Sequence, residues 1–109
     1  MRGWEKGVKV KNNKVVLNET RIKGQIKEYL KLQGVFFYHN LQGLGCYPGI
    51  PDLAGFYKGY AFFIEVKSKK GKLSEFQEKF KEEVELENAV VFVSHSYAEF
   101  VEKWEMVWG

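Results

Sequence analysis

Two apolar runs separated by a two-residue break occupy the middle of this chain, and they admit few folds. Residues Asp52–Tyr57 and Tyr60–Lys67 flank Lys58-Gly59, a connection of the length that closes a tight hairpin, with Gly59 free to take a positive φ. In such a hairpin Tyr57 faces Tyr60, Ala54 faces Phe63 and Asp52 faces Glu65. Directly opposed side chains have Cβ atoms about 4.5–5.5 Å apart. Lys67 lies two residues beyond Glu65 and so points to the same face.

One face of the expected hairpin carries Asp52, Ala54, Phe56, Ala61, Phe63, Glu65 and Lys67. The other carries Leu53, Gly55, Tyr57, Tyr60, Phe62, Ile64 and Val66. Both are mainly apolar, which predicts central strands covered on both sides. The charges gather at one end of one face. Two carboxylates that close repel each other, and burying them unpaired is costly. A divalent cation relieves the repulsion, and an all-oxygen site suits magnesium or manganese. A salt-bridged cluster, with Lys67 neutralising Glu65 and no metal, accounts for the same spacing, and spacing alone leaves both open.

These residues also resemble a known family. Gly49-Ile50-Pro51-Asp52 followed by Glu65-Val66-Lys67 resembles the PD-(D/E)xK nuclease signature. The trailing Gly71-Lys72-Leu73-Ser74 with Gln77 narrows the resemblance to the virus-type replication-repair nuclease (VRR-NUC) branch, and it spans roughly Glu19 to Ser94. The resemblance implies a restriction-endonuclease-like fold and a DNA endonuclease dependent on Mg2+ or Mn2+. It implies that Asp52, Glu65 and Glu19, the acidic residue of the first helix, are metal ligands, that Lys67 is the catalytic lysine and that Gln77 is the family's motif glutamine. By analogy with compact members of the family, the substrate is branched or flapped DNA such as a Holliday junction, met in DNA repair, and the working unit is a homodimer.

Length and composition agree with one domain over residues 1–109. Hydrophobic residues make up 45% and aromatic ones 17%, which excludes a disordered chain. The net charge of +3 permits a nucleic-acid partner without demanding one. The lone Cys46 excludes an intrachain disulfide framework and a multi-cysteine zinc site, and it has no neighbours arranged for thiol catalysis. With neither a secretory signal nor a run long enough to span a bilayer, a cytoplasmic protein without a membrane partner is expected.

Along the chain, Met1–Asn18 reads as a strand pair around Asn12-Asn13, with Val8, Val10 and Val15–Leu17 as its apolar positions. Lys6, Lys9, Lys11 and Lys14 there serve either as an arm towards DNA or a second subunit, or more simply as edge guards. A first helix follows, capped by Asn18, with Ile22, Ile26, Tyr29 and Leu30 on one stripe and Gly34 as its stop. Glu19 in its first turn also suits the helix dipole. Arg21, Lys23, Lys27 and Lys31 read as a solvated face rather than a phosphate track. Val35–Tyr38 is a short strand, and His39 at its end is a secondary candidate for phosphate contact. The loop through Gly43, Gly45 and Gly49 can contour a substrate.

After Lys67, Lys69, Lys70 and Lys72 lie closest to the carboxylates and are the best phosphate-binding candidates. Ser74 and Gln77 have capping-box spacing, so Gln77 has a structural job to set against a role in the site. Phe76, Phe80 and Val84 continue one apolar stripe. Val90–Val93 reads as a buried strand, His95 as structural or solvent-facing, and Ser96 as the start of a last helix with Tyr97, Phe100, Val101 and Trp104 inward. Met106, Val107 and Trp108 either cover the core or meet another subunit. The expected architecture is an α/β domain, a mixed central sheet with helices on both faces and a small N-terminal hairpin. A catalytically silent nucleic-acid-binding module of the same fold is the rival reading, and a structural subunit docking through its aromatic tail is a third.

Overall fold

Lys58 and Gly59 both adopt positive φ, 51° and 87°, the combination that matches the twist of a two-residue hairpin. The computed structural model describes the backbone of residues 3–109 and the side chains of residues 17–109. Its elements are α1 (Gly3–Leu32), β1 (Phe36–His39), β2 (Leu53–Tyr57), β3 (Tyr60–Val66), α2 (Glu75–Leu86), β4 (Val90–Ser94) and α3 (Tyr97–Trp108). β2 and β3 pair antiparallel with Tyr57 opposite Tyr60 and Ala54 opposite Phe63, the register that the loop length dictates. β1 adds antiparallel to β2, with Tyr38 opposite Ala54. β4 adds parallel to β3, with Ile64 opposite Phe92. The order is β1-β2-β3-β4, and α2 forms the crossover that a parallel pair needs. The chain is thus an α/β domain with a four-stranded mixed sheet flanked by three helices.

Strand alternation decides which helix meets which face. Leu53, Phe62, Ile64, Val66 and Phe92 form one cluster with Ile22, Ile26 and Leu30 of α1 and with Phe100 and Trp104 of α3. Each fully buried side chain of this size contributes about 1.5–3 kcal/mol. The opposite face receives α2, through Phe80 against Phe63 with ring centroids 5.0 Å apart. That cover stops short of the β1–β2 side, where Phe36 and Phe56 stack on each other at 6.2 Å and are both more than half exposed. Cover on both faces, expected from the hairpin's apolar pattern, therefore holds for one face except at the hairpin tip, where Tyr60 is half exposed, and only partly for the other.

The helix ends follow local chemistry. Gly34 at φ 70° ends α1, with Val35 N donating to Leu30 O at 2.9 Å and Gly34 N to Lys31 O at 3.0 Å. This is a Schellman turn, and the two apolar residues that close it, Leu30 and Val35, are both buried. Ser74 caps α2 and Ser96 caps α3.

The expected N-terminal hairpin is not formed. α1 starts at Gly3 and runs through Asn12-Asn13 and Asn18, which is therefore not a cap. Extending a helix already packed through Ile22, Ile26 and Leu30 needs only propagation, without the costly nucleus that a separate element requires. The side chains of Lys6, Lys9, Lys11 and Lys14 lie outside the described residues. At the other end α3 continues to Trp108, and both Trp104 and Trp108 pack on Phe62 and Phe92, whereas Met106 is exposed. Among the described residues no helix is long and apolar enough to cross a membrane.

Candidate active site

Asp52 sits one residue before β2, where the chain arrives from the glycine-rich loop. Asn40 fixes that arrival twice, donating its backbone N–H to Asp52 O at 2.9 Å and its side-chain Nδ2 to Pro51 O at 2.9 Å. Gly49 lets the loop pass the start of α2, because a Cβ there would meet Phe76 O at 2.2 Å. The Asp52 carboxylate then takes over from the backbone ladder, with Oδ2 accepting from Val66 N at 3.1 Å. Its other oxygen lies 3.5 Å from Lys23 Nζ. The aspartate is tied to the strand that carries Glu65, as the hairpin register requires.

Glu65 is buried, at 6% exposed. Its Oε2 accepts from Gln77 Nε2 at 3.0 Å and lies 4.0 Å from Lys67 Nζ. Its Oε1 is buried and, among the described residues, has no hydrogen-bond partner. Burial, then the charge of Asp52 and, more weakly, of Glu19 push the carboxyl up to about 8, against the opposing pull of Lys67 and Lys23. Gln77 performs both of the jobs its spacing allows. Its Oε1 accepts from Ser74 N at 2.8 Å while Ser74 Oγ accepts from Gln77 N at 3.2 Å. With the amide oxygen committed to the cap, the amide nitrogen is left to donate to Glu65, so the capping box also orients the carboxylate.

α1 crosses the ends of the strands. Glu19 Oε2 accepts from Ser68 N at 3.0 Å, just beyond β3. Four residues on, Lys23 meets Asp52 before β2. Four further on, Lys27 Nζ lies 2.9 Å from His39 Nε2 at the end of β1. A four-residue step along a helix advances about 6 Å, close to the strand spacing of about 4.8 Å. One row of side chains therefore meets three strand ends in turn. Lys23 and Lys27 belong to this row and not to a solvated face. Their sequence signal is the i, i+4 continuation from Glu19 alongside the Ile22–Ile26–Leu30 stripe. His39 is held below the ordinary histidine range by burial and by the nearby ammonium groups of Lys27 and Lys23.

Lys69, Lys70 and Lys72 lie on the loop between β3 and α2, and all three are exposed. The loop turns through Gly71 N donating to Ser68 O at 2.8 Å, and His95 Nε2 donates to Gly71 O at 2.9 Å. His95 is braced from behind by Glu99, at 3.1 Å from its Nδ1, and Glu99 in turn by Lys103 at 2.8 Å. His95 is thus a support for the lysine loop, facing protein on both ring nitrogens.

Among the described residues, no three His, Cys, Asp or Glu side chains form a ready-made metal cage. Magnesium does not need one, because it keeps several waters and is commonly held by one or two carboxylates. Asp52 and Glu65 supply that donor set, and the unpartnered Glu65 Oε1 is an acceptor for which a cation is a natural partner. The ion pairs of Lys23 and Lys67 are present, but they leave this oxygen unpaired. A buried acceptor left so costs about 1–3 kcal/mol, which a bound cation would offset. No family model matches this chain, and neither a curated protein nor a solved structure does, so the chemistry of the site is read from its own residues.

Proposed function

We propose that the chain is a divalent-metal-dependent DNA endonuclease of the VRR-NUC branch with a restriction-endonuclease-like fold, acting as a homodimer on branched DNA such as a Holliday junction. The observation that carries this reading is the unpartnered oxygen of Glu65, buried beside Asp52 and Lys67 at the end of one sheet face. Asp52 and Glu65 would hold magnesium or manganese, with Glu19 as the further acidic group of the site. When bound, such an ion supplies charge to stabilise phosphate oxygens and promotes ionisation of a water.

The chain's own residues do the rest. Val66 N–H and Gln77 fix the orientations of the two carboxylates, so little reorganisation is needed when charge develops. Lys67, its side chain one-fifth exposed, can donate a hydrogen bond to a phosphate oxygen or orient the attacking water. Attack of that water on phosphorus and loss of the sugar oxygen leave a phosphate end and a hydroxyl end. Lys69, Lys70 and Lys72 contact flanking phosphates from one side, and His39 from the other.

The test is cleavage of a panel of four-way, flapped and linear DNAs with magnesium or manganese, run beside a chelator control. Metal-dependent cutting that favours the branched substrates is expected. DNA binding without cleavage under any metal would favour the silent binding module, and neither binding nor cleavage would sink both readings.

A further inference from the structure

We infer that Lys27, its ammonium oriented by His39, binds a single backbone phosphate of the substrate, on the β1 side of the carboxylates. This rests on the nuclease reading and extends it by assigning the path of the strand across the site. The pair is unusual in its chemistry. An ammonium has donors only, so at 2.9 Å from Lys27 Nζ the His39 Nε2 must be the acceptor. The ring proton therefore sits on Nδ1. Lys27 keeps two N–H groups beyond the one it gives to His39, and the imidazole holds the ammonium in place while its own Nδ1–H points away to the other side of the ring. Among the described residues Lys27 forms no ion pair with a carboxylate.

Position supplies the second argument. Lys27 continues the row that joins Glu19 to Ser68 and Lys23 to Asp52, and the sheet order puts β1 next to β2, on the side away from β3. The lysine loop follows β3. The lysine loop after β3 and the Lys27–His39 pair at the end of β1 thus lie on opposite sides of β2. A nucleic-acid strand laid across the strand ends meets cations before and after the bond to be cut. Lys23 is not part of this phosphate site, because its ammonium already faces Asp52.

The experiment is fluorescence anisotropy of a labelled four-way DNA junction over a salt series, with Lys67→Ala as the parent to suppress cutting and Lys27→Gln added to it. Loss of one phosphate contact should weaken binding roughly tenfold and reduce the slope of log affinity against log salt by about 0.7–0.9. Lys27→Arg, which keeps the charge, should restore the slope. A second arm places one uncharged methylphosphonate at each linkage around the mapped cut. One such position should weaken the Lys67→Ala parent but not the Lys27→Gln variant. An unchanged slope in Lys27→Gln overturns the phosphate site while leaving metal-dependent cleavage by the unaltered protein intact. Binding with a Lys27-dependent slope but no cleavage by the unaltered protein keeps the phosphate site and removes the nuclease reading. Failure to bind DNA at all overturns both.

Discussion

Glu65 is buried against a second carboxylate, and its protonation ties the stability of the fold to pH. In the unfolded chain its carboxyl titrates near the ordinary 4.5, whereas in the fold it is pushed up to about 8. Between those values the folded state holds a proton that the unfolded state has lost. The metal-free protein should therefore lose stability as pH rises from about 4.5 to about 8 and level off above. Thermal melting in chelator across that range checks this, and Glu65→Gln should flatten the slope; an unchanged slope in that variant would assign the effect to another group. Magnesium or manganese should raise the melting temperature, more at pH 8 than at pH 5, because a cation takes the ionised carboxylate. Asp52→Asn should blunt the rise, and a melting temperature indifferent to saturating metal would return the site to a salt-bridged cluster. Lys67→Ala should keep the fold and lower cleavage by about 10²–10³, the scale for losing one preorganised donor at developing charge; activity within a few-fold of the parent would remove Lys67 from the mechanism. The approach of Asp52 to Glu65 was legible because a two-residue loop fixes register whatever the side chains are. The row of Lys23 and Lys27 was not, because its meaning depends on where α1 crosses the strand ends, and no local pattern encodes that crossing.

At the level of elements, α2 owes its place to Gly49, far upstream of Gln77, the residue it matters to most. Gly45 and Gly49 both have positive φ, 90° and 80°, but a Cβ at Gly45 meets open space whereas one at Gly49 meets the backbone of Phe76 and Gln77. Comparing Gly45→Ala with Gly49→Ala therefore separates backbone strain from steric displacement of the helix start. Gly45→Ala should cost about 1–2 kcal/mol from left-handed strain alone. Gly49→Ala should cost more in urea unfolding and also depress kcat, since moving the first turn of α2 shifts Gln77 away from Glu65. Equal effects of the two on stability and on kcat would show that the contact between loop and helix plays no part. The hairpin, the capping box, the Gly34 stop and the last strand and helix were all legible, since each is set by residues within a few positions of one another. The N-terminal segment was misread for the opposite reason. Its valines and paired asparagines satisfy a hairpin locally, but the helix beyond them is anchored by packing against Phe62, Ile64 and Phe92, and it extends into the segment. Local pattern lost to an element already nucleated elsewhere.

For the molecule as a whole, the proposed function asks how one small domain would cut a branched substrate that presents two strands. One site would cleave one strand, so a two-fold dimer would supply a pair of sites matched to a symmetric junction. The aromatic tail is not free to make that contact through its tryptophans, because Trp104 and Trp108 pack against each other and against Phe92 in the core. An exposed apolar cluster lies at the other edge of the sheet, where Phe36, Tyr38 and Phe56 meet beyond the cover of α2. Exposed aromatic clusters of this kind are characteristic of subunit contacts. The β4 edge is less suited, because Lys103 Nζ donates to Val93 O at 2.7 Å and places a charged chain against the strand. Light scattering at micromolar concentration should give twice the chain mass, and Phe56→Glu should give the monomer with an unchanged circular-dichroism spectrum. Since Phe56 lies four residues along β2 from Asp52, the monomeric variant should still nick one strand of a four-way junction while losing the paired cuts that resolve it. A parent protein that is monomeric and cuts linear duplex as readily as a junction would remove both the dimer and the branched substrate.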